Sequence, residues 1–167
     1  MDVLLRAGTD ADLLAVGALH QRSRADAYAH ILSADILAGL SPAALGEYWT
    51  ERWKWEQDTH RLTVAERDGD VIGFSYTGPS KTPDAVELYA IHVDPAHLGT
   101  GVGRQLMVNA LAELAELGAP RAVLWVLEEN DRARRFYERG DWKPDGATRT
   151  DAIGGQPVPQ LCYTHDL

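Results

Sequence analysis

Val93-Asp94-Pro95-Ala96-His97-Leu98-Gly99-Thr100-Gly101-Val102-Gly103-Arg104-Gln105-Leu106-Met107 is the stretch from which the fold can be read. Apolar residues up to Val93 fit a strand, and Pro95, which has no N–H to give a ladder, forces the chain out of the sheet. Gly99, Gly101 and Gly103 then alternate with Thr100 and Val102. Beyond them Leu106, Val108, Leu111, Leu114 and Leu117 recur at helical spacing. The order is strand, glycine loop, helix. Glycines this close let backbone N–H groups turn toward one point, and a helix start adds its unpaired donors and the positive end of its dipole. Such a cup suits a pyrophosphate. A P-loop needs Gly-Lys-Ser/Thr at its end and finds Val102-Gly103-Arg104. The dinucleotide fingerprint needs glycine where Arg104 stands and a loop directly after the strand.

Outward from this core the pattern alternates between strands and helices. Upstream, Val86 to Val93 reads as the strand that enters the loop, and Arg61–Ala65 and Val71–Tyr76 as an antiparallel pair turning at Asp68-Gly69-Asp70. Tyr28 to Asp58 holds one or two helices, with Ser33 and Ser41-Pro42 as start signals and Tyr48, Trp49, Trp53 and Trp55 dense along it; at least two of these rings are expected in the core. Val3 to Arg6 fits a first strand, and Thr9 or Asp10 can cap a helix whose stripe is Leu13, Leu14, Val16 and Leu19. Downstream, the helix stops near Gly118-Ala119-Pro120, and Ala122 to Leu127 is continuously apolar, as in a strand covered on both faces. The right-handed crossover rule pairs it parallel to the strand before the helix. Asn130-Asp131 opens a short helix ending at Gly140, and strands are expected near Thr148–Ile153 and Pro159–His165. The sum is one α/β domain over residues 1–167, a mixed sheet of about seven strands with helices on both faces.

Composition narrows the class. A chain of 167 residues with 45% hydrophobic content and five tryptophans can bury a full core. No apolar run approaches the ~20 residues of a membrane span, and the start Met1-Asp2-Val3 lacks a signal peptide's features, so a cytoplasmic, membrane-free protein is expected. The lone Cys162 excludes an internal disulfide and reads as a small buried hydrophobe. A net charge of −9 argues against nucleic acid and points to uncharged or cationic amines as guests. Arg132, Arg134, Arg135 and Arg139, with Arg104, form a local exception that could meet an anion.

Leu98-Gly99-Thr100-Gly101-Val102-Gly103 after a strand ending Val-x-Pro resembles the acyl-CoA loop of the GNAT superfamily of N-acetyltransferases, with Leu98 where that family usually has Gln or Arg. Asn130-x-x-Ala133-x-x-Phe136-Tyr137-Glu138-x-Gly140-x-Trp142 is similar to the family's second signature, one residue shorter to Gly140. The resemblance implies acetyl-CoA as cosubstrate, no metal, and an acetyl group moved to a primary amine of a small molecule or protein. It implies that Ile91, His92 and Val93 offer backbone to the pantetheine arm, and that Leu98, Gly99, Thr100, Gly101, Val102, Gly103 and Arg104 hold the phosphates. Asn130 and Arg135 are further cofactor contacts, Asn130 being also a helix N-cap.

The transfer needs a neutral amine, a polarised carbonyl and a protonated leaving thiolate. Tyr137, a phenol of pKa about 10, is the candidate acid for a thiol of about 8.5; its bland role is a core ring. Glu87 is the candidate base, placed by period two with Tyr89, Ile91 and Val93, leaving His92 on the other face. A carboxylate on an apolar strand costs stability unless it has a partner or a purpose. His30, His92 or no dedicated base are the alternatives. A non-catalytic acyl-CoA-binding or regulatory module on the same fold is the competing function. Expected partners are acetyl-CoA and an amine acceptor, with a homodimer left open.

Overall fold

The structure is a computed structural model that describes residues 2–167. Its elements are β1 (Leu4–Ala7), α1 (Leu13–Ala27), α2 (Ala34–Gly39), α3 (Pro42–Glu56), β2 (Arg61–Arg67), β3 (Asp70–Pro79), β4 (Ala85–Val93), α4 (Val102–Glu116), β5 (Arg121–Leu127), α5 (Asp131–Arg139), β6 (Lys143–Ile153) and β7 (Gln156–Asp166). Seven strands form one sheet in the order β1-β2-β3-β4-β5-β7-β6. Among the described strands only β4 and β5 pair in parallel, and α4 makes the crossover between them. The expected mixed α/β sheet with helices on both faces is what the chain forms. No described helix is long and apolar enough to cross a membrane.

Local chemistry accounts for the element boundaries. Ser33 Oγ accepts from the Ile36 N–H at 3.3 Å, and Ser41 Oγ from the Ala44 N–H at 3.1 Å with Pro42 behind it, so two helices fill the Tyr28–Asp58 stretch. On one face of the sheet α1 lays Leu13, Val16 and Leu19 against Trp49 of α3 and Val64, Phe74 and Tyr76. The two helices touch at glycines: a Cβ on Gly17 would stand 2.3 Å from the Gly46 nitrogen. On the other face α4 packs Met107, Ala110 and Leu114 on Leu124 and Val126, and Phe136 and Tyr137 of α5 join that cluster.

The helical stripes come out rotated from those read in the sequence. Leu14, Val108 and Leu117 are exposed, at 75%, 64% and 43%. The buried row of α4 instead runs Val102, Leu106, Ala110, Leu114, a strict four-residue step that begins at Val102, one residue before the expected start. Of the four α3 aromatics, Trp49 is buried and Trp53 packs on its cluster, while Trp55 is 73% exposed. Asp145-Gly146, expected to break the chain, is absorbed into β6 as a register shift between Pro144 and Thr148.

Two irregularities of β4 make the site. Its pairing with β5 runs only from Ala85↔Arg121 to Glu87↔Val123, so beyond Glu87 the strands separate. Its pairing with β3 steps from Tyr76↔Ala90 to Thr77↔Leu88, leaving Tyr89 as an extra residue. This bulge corrects the period-two assignment. Val86 and Leu88 before it, and Ile91 and Val93 after it, pack toward α4. Glu87, Tyr89 and His92 share the opposite side. His92 therefore lies on the face of Glu87, not across from it.

Candidate functional site

Where β4 and β5 part, a cleft opens on each side of the sheet. The first, about 450 Å³, lies by the glycine loop and is lined by Ile91, His92, Val93, Leu98, Gly99, Gly101, Gly103, Arg104, Asn130 and Tyr137. The second, about 560 Å³, lies by α1 and α3 and is lined by Glu87, Tyr89, His92 and residues of both helices. Tyr28, Tyr89, Ala90, His92 and Trp125 border both, so the clefts meet at the gap between the strands.

The three glycines are not alike. Gly99 and Gly101 have φ of +74° and +91°, a backbone form that L side chains rarely adopt, and a Cβ on either would meet nothing within 4 Å. These two leave the cup open and turn its N–H groups. Gly103 has ordinary backbone, and a Cβ there would only reach van der Waals contact with the Phe136 ring at 3.4 Å, so neither its conformation nor its packing demands glycine. The fifteen-residue α4 begins at Val102 with Gly101 as its N-cap, which aims its unpaired first-turn donors at the loop. Val102 is 2% exposed in the core and Thr100 donates its hydroxyl to the His97 carbonyl, so both can offer backbone only. Leu98 stands at the rim, 42% exposed.

Asn130 is buried at the N-cap of α5, where its Oδ1 accepts from the Ala133 N–H at 3.3 Å. Of the arginines, Arg104, Arg132 and Arg139 line the first cleft, whereas Arg135 is exposed outside the lining. Arg135 lies three residues after Arg132 and four before Arg139, on the same stripe of α5, yet its side chain is not among those that line the cleft. Arg132 pairs with Asp26 at 3.1 Å, and Arg134 turns to the Tyr163 hydroxyl at 3.1 Å and the Glu128 carbonyl at 3.0 Å. Tyr137 packs its ring at 5.6 Å from Phe136 and 6.3 Å from Trp142 and Tyr163. Burial first, then the Tyr28 phenol, raise the Tyr137 hydroxyl above the ordinary value, so it holds its proton firmly.

In the second cleft Glu87 accepts a hydrogen bond from Ser80 Oγ at 2.7 Å. Burial raises its pKa above the usual carboxylate range, against the Ser80 bond and the charges of Arg149, Arg52 and Lys81. His92 shares a 2.8 Å hydrogen bond with Ser23 Oγ through Nδ1 and lies 4.5 Å, centroid to centroid, from His20. Desolvation and the nearby Arg24 push His92 down to about 3, so it is neutral at physiological pH. His30 lies outside both clefts, bonded to the Glu129 carbonyl at 3.1 Å. Sequence reasoning missed Arg24, Tyr28 and Trp125, which no motif marks; only the meeting of α1 with the β4–β5 gap brings them in.

A model of the acetyltransferase (GNAT) family matches residues 26–140, from the end of α1 through α5. The chain belongs to the GNAT acetyltransferase family. An uncharacterized N-acetyltransferase of Mycobacterium bovis is 35% identical to this acetyltransferase over 130 residues, 78% of each protein. A mycothiol acetyltransferase of Thermomonospora curvata is 43% identical over 82 residues, which cover 48% of this chain and 27% of that protein. Among solved structures, the PaiA N-acetyltransferase of Thermoplasma acidophilum in complex with coenzyme A superposes with a TM-score of 0.83 over the whole of both chains at 18% identity, a likeness of fold. An acetyltransferase of Salmonella typhimurium, solved with acetyl-CoA, gives 0.70 at 19% identity over 99% of this chain and 94% of that one.

Proposed function

We propose that this acetyltransferase moves an acetyl group from acetyl-CoA to a primary amine of a small molecule or protein. The observation that carries the proposal is the gap between β4 and β5, with a glycine-lined cleft on one side, a Glu87-bearing cleft on the other, and a shared wall between. The residues present fit the cofactor: positive-φ glycines leave an open cradle of N–H donors, α4 adds its dipole, and β4 beyond Glu87 has backbone with no strand partner on the β5 side. Acetyl-CoA would supply the acetyl group as a thioester, already activated for attack.

This chain's residues do the rest. The loop N–H groups from Gly99 to Gly103, with Arg104, Arg132 and Arg139, would neutralise the phosphates. Backbone N–H groups of Ile91–Val93 would hold the arm and polarise the acetyl carbonyl. Glu87 takes the amine's proton through water, and its raised pKa makes it a better base than an ordinary carboxylate. Tyr137 gives its proton to the departing thiolate sulfur. Asn130 orders the start of α5 and so holds Tyr137 in place.

Two measurements test this. Calorimetric titration should give saturable binding of CoA with none of ATP or NAD, and release of free thiol from acetyl-CoA should depend on an added amine. Binding of NAD or ATP in place of CoA overturns the cofactor assignment. CoA binding without turnover across polyamines, amino acids and peptides leaves a non-catalytic acyl-CoA-binding module instead.

A further inference from the structure

We infer that the acceptor carries a carboxylate a few bonds from its amine, as an amino acid does, and that Arg24 is the residue that binds it. This names the acceptor class within the transfer proposed above and rests on it. The net charge of −9 pointed the other way, to uncharged or cationic acceptors. The second cleft departs from that expectation: Arg24, Arg52, Lys81 and Arg149 line it against Glu87 and Asp151.

Two of those four cations are engaged elsewhere, and a third is exposed to solvent. Arg52 is held by Glu56 and by the Tyr48 hydroxyl, with its guanidinium over the Tyr89 ring at 4.6 Å. Arg149 donates to Gln160 and lies 4.3 Å above the Trp125 ring. Lys81 is exposed on the loop before β4. Arg24 differs. Its Nε is buried and, among the described residues, donates to nothing. A buried charged N–H without an acceptor is costly, so an arginine held in this way implies an anion that completes it.

Its position says where that anion sits. Arg24 is in the last turn of α1, four residues before the C-cap Tyr28, and its charge is felt by Tyr28, His20 and His92. Tyr28 and His92 border both clefts, so the guanidinium stands beside the junction where the amine must arrive. His20 and His92 are both held neutral, so neither adds a positive charge beside Arg24. A carboxylate on Arg24 and a nitrogen at the junction, with Glu87 further along the same face of β4, describe an amino-acid-like acceptor. The planar fork of the guanidinium also matches a carboxylate in two hydrogen bonds.

The test uses amino acids, their carboxamides and their decarboxylated amines as matched acceptors for the intact protein. The acids should be turned over with kcat/KM about 10- to 100-fold above the amides, the range of one lost charged hydrogen-bond pair. Arg24→Gln should bring that ratio close to one without moving the KM for acetyl-CoA, and Arg24→Lys should recover part of it. Amides or decarboxylated amines turned over as fast as the acids overturn the inference, as does an Arg24→Gln effect confined to acetyl-CoA. Calorimetry on the CoA-loaded protein reads the same discrimination without turnover. Amino acids bound through Arg24 but never acetylated support this inference and overturn the proposed transfer; acetylation of carboxylate-free amines alone does the reverse.

Discussion

Replacing Tyr137 by Phe separates its chemical role from its structural one, because the structure shows what the hydroxyl does not do. The ring packs on Phe136, Trp142 and Tyr163, at 5.6, 6.3 and 6.3 Å, and all of that survives in phenylalanine. The substitution breaks no hydrogen bond among the described residues. Stability should therefore change by no more than about 0.5 kcal/mol, a shift of roughly 1–2 °C for a chain of this size. The chemical step should suffer far more. Removing a general acid costs about 10²–10⁴-fold, or roughly 2.7–5.5 kcal/mol of barrier. The direction of the pKa shift adds a second check: a phenol raised above 10 stays protonated through neutral and mildly alkaline pH, so the parent rate should show no loss of acid between roughly pH 7 and 9.5. The assay is thiol release at saturating acetyl-CoA, run beside a thermal melt. A Phe variant within about threefold of the parent kcat would falsify the acid assignment and leave Tyr137 as a packing residue.

Gly101→Val should fold, since its Cβ meets nothing within 4 Å, at a strain of about 1–2 kcal/mol for the positive φ. CoA affinity should drop about tenfold or more, and calorimetry showing unchanged affinity sinks the phosphate-cup reading. Glu87→Gln should move the pH–rate profile upward, as the amine waits for bulk solvent to deprotonate it; an unshifted profile removes Glu87 as the base. The same variant has a stability sign. A carboxylate whose folded pKa is raised binds more protons folded than unfolded, so its ionisation lowers stability as pH climbs through that window, and the neutral Gln should melt at or above the parent temperature at pH 7. Gly17→Ala would place a methyl 2.3 Å from the Gly46 nitrogen, and forcing α1 from α3 should cost about 1–3 kcal/mol, each worth about 2–4 °C. An unchanged melt would show that the crossing has slack.

The fold was legible because its signals are local. Pro95 ends β4, glycines open α4, and Ser33 and Ser41-Pro42 start α2 and α3, each through backbone chemistry a few residues wide. What stayed hidden depends on pairing between distant strands. The Tyr89 bulge exists because β4 holds one more residue than β3 opposes there, and no pattern within β4 announces it. Period two, applied across the bulge, sends His92 to the wrong side. The same limit applies to Arg135: a run of arginines shows that a basic helix exists, but not that Arg132 and Arg139 line the cleft while Arg135 does not.

Charge shows the limit most clearly, because a sum over the chain gives every residue equal weight and a binding site does not. The excess of acidic residues that makes −9 includes exposed positions such as Glu47, Glu51 and Glu116, whose fields in solution fade over a Debye length of about 8 Å. Arg24 lines the second cleft, in whose wall Tyr28 and His92 also stand, with its Nε buried, where screening is weak and a missing partner is costly. One desolvated cation there outweighs several distant carboxylates in choosing what binds. The acidic surface therefore sets the long-range field of the protein, while the sign of the small acceptor follows, on this inference, from Arg24, whose buried Nε meets no acceptor among the described residues.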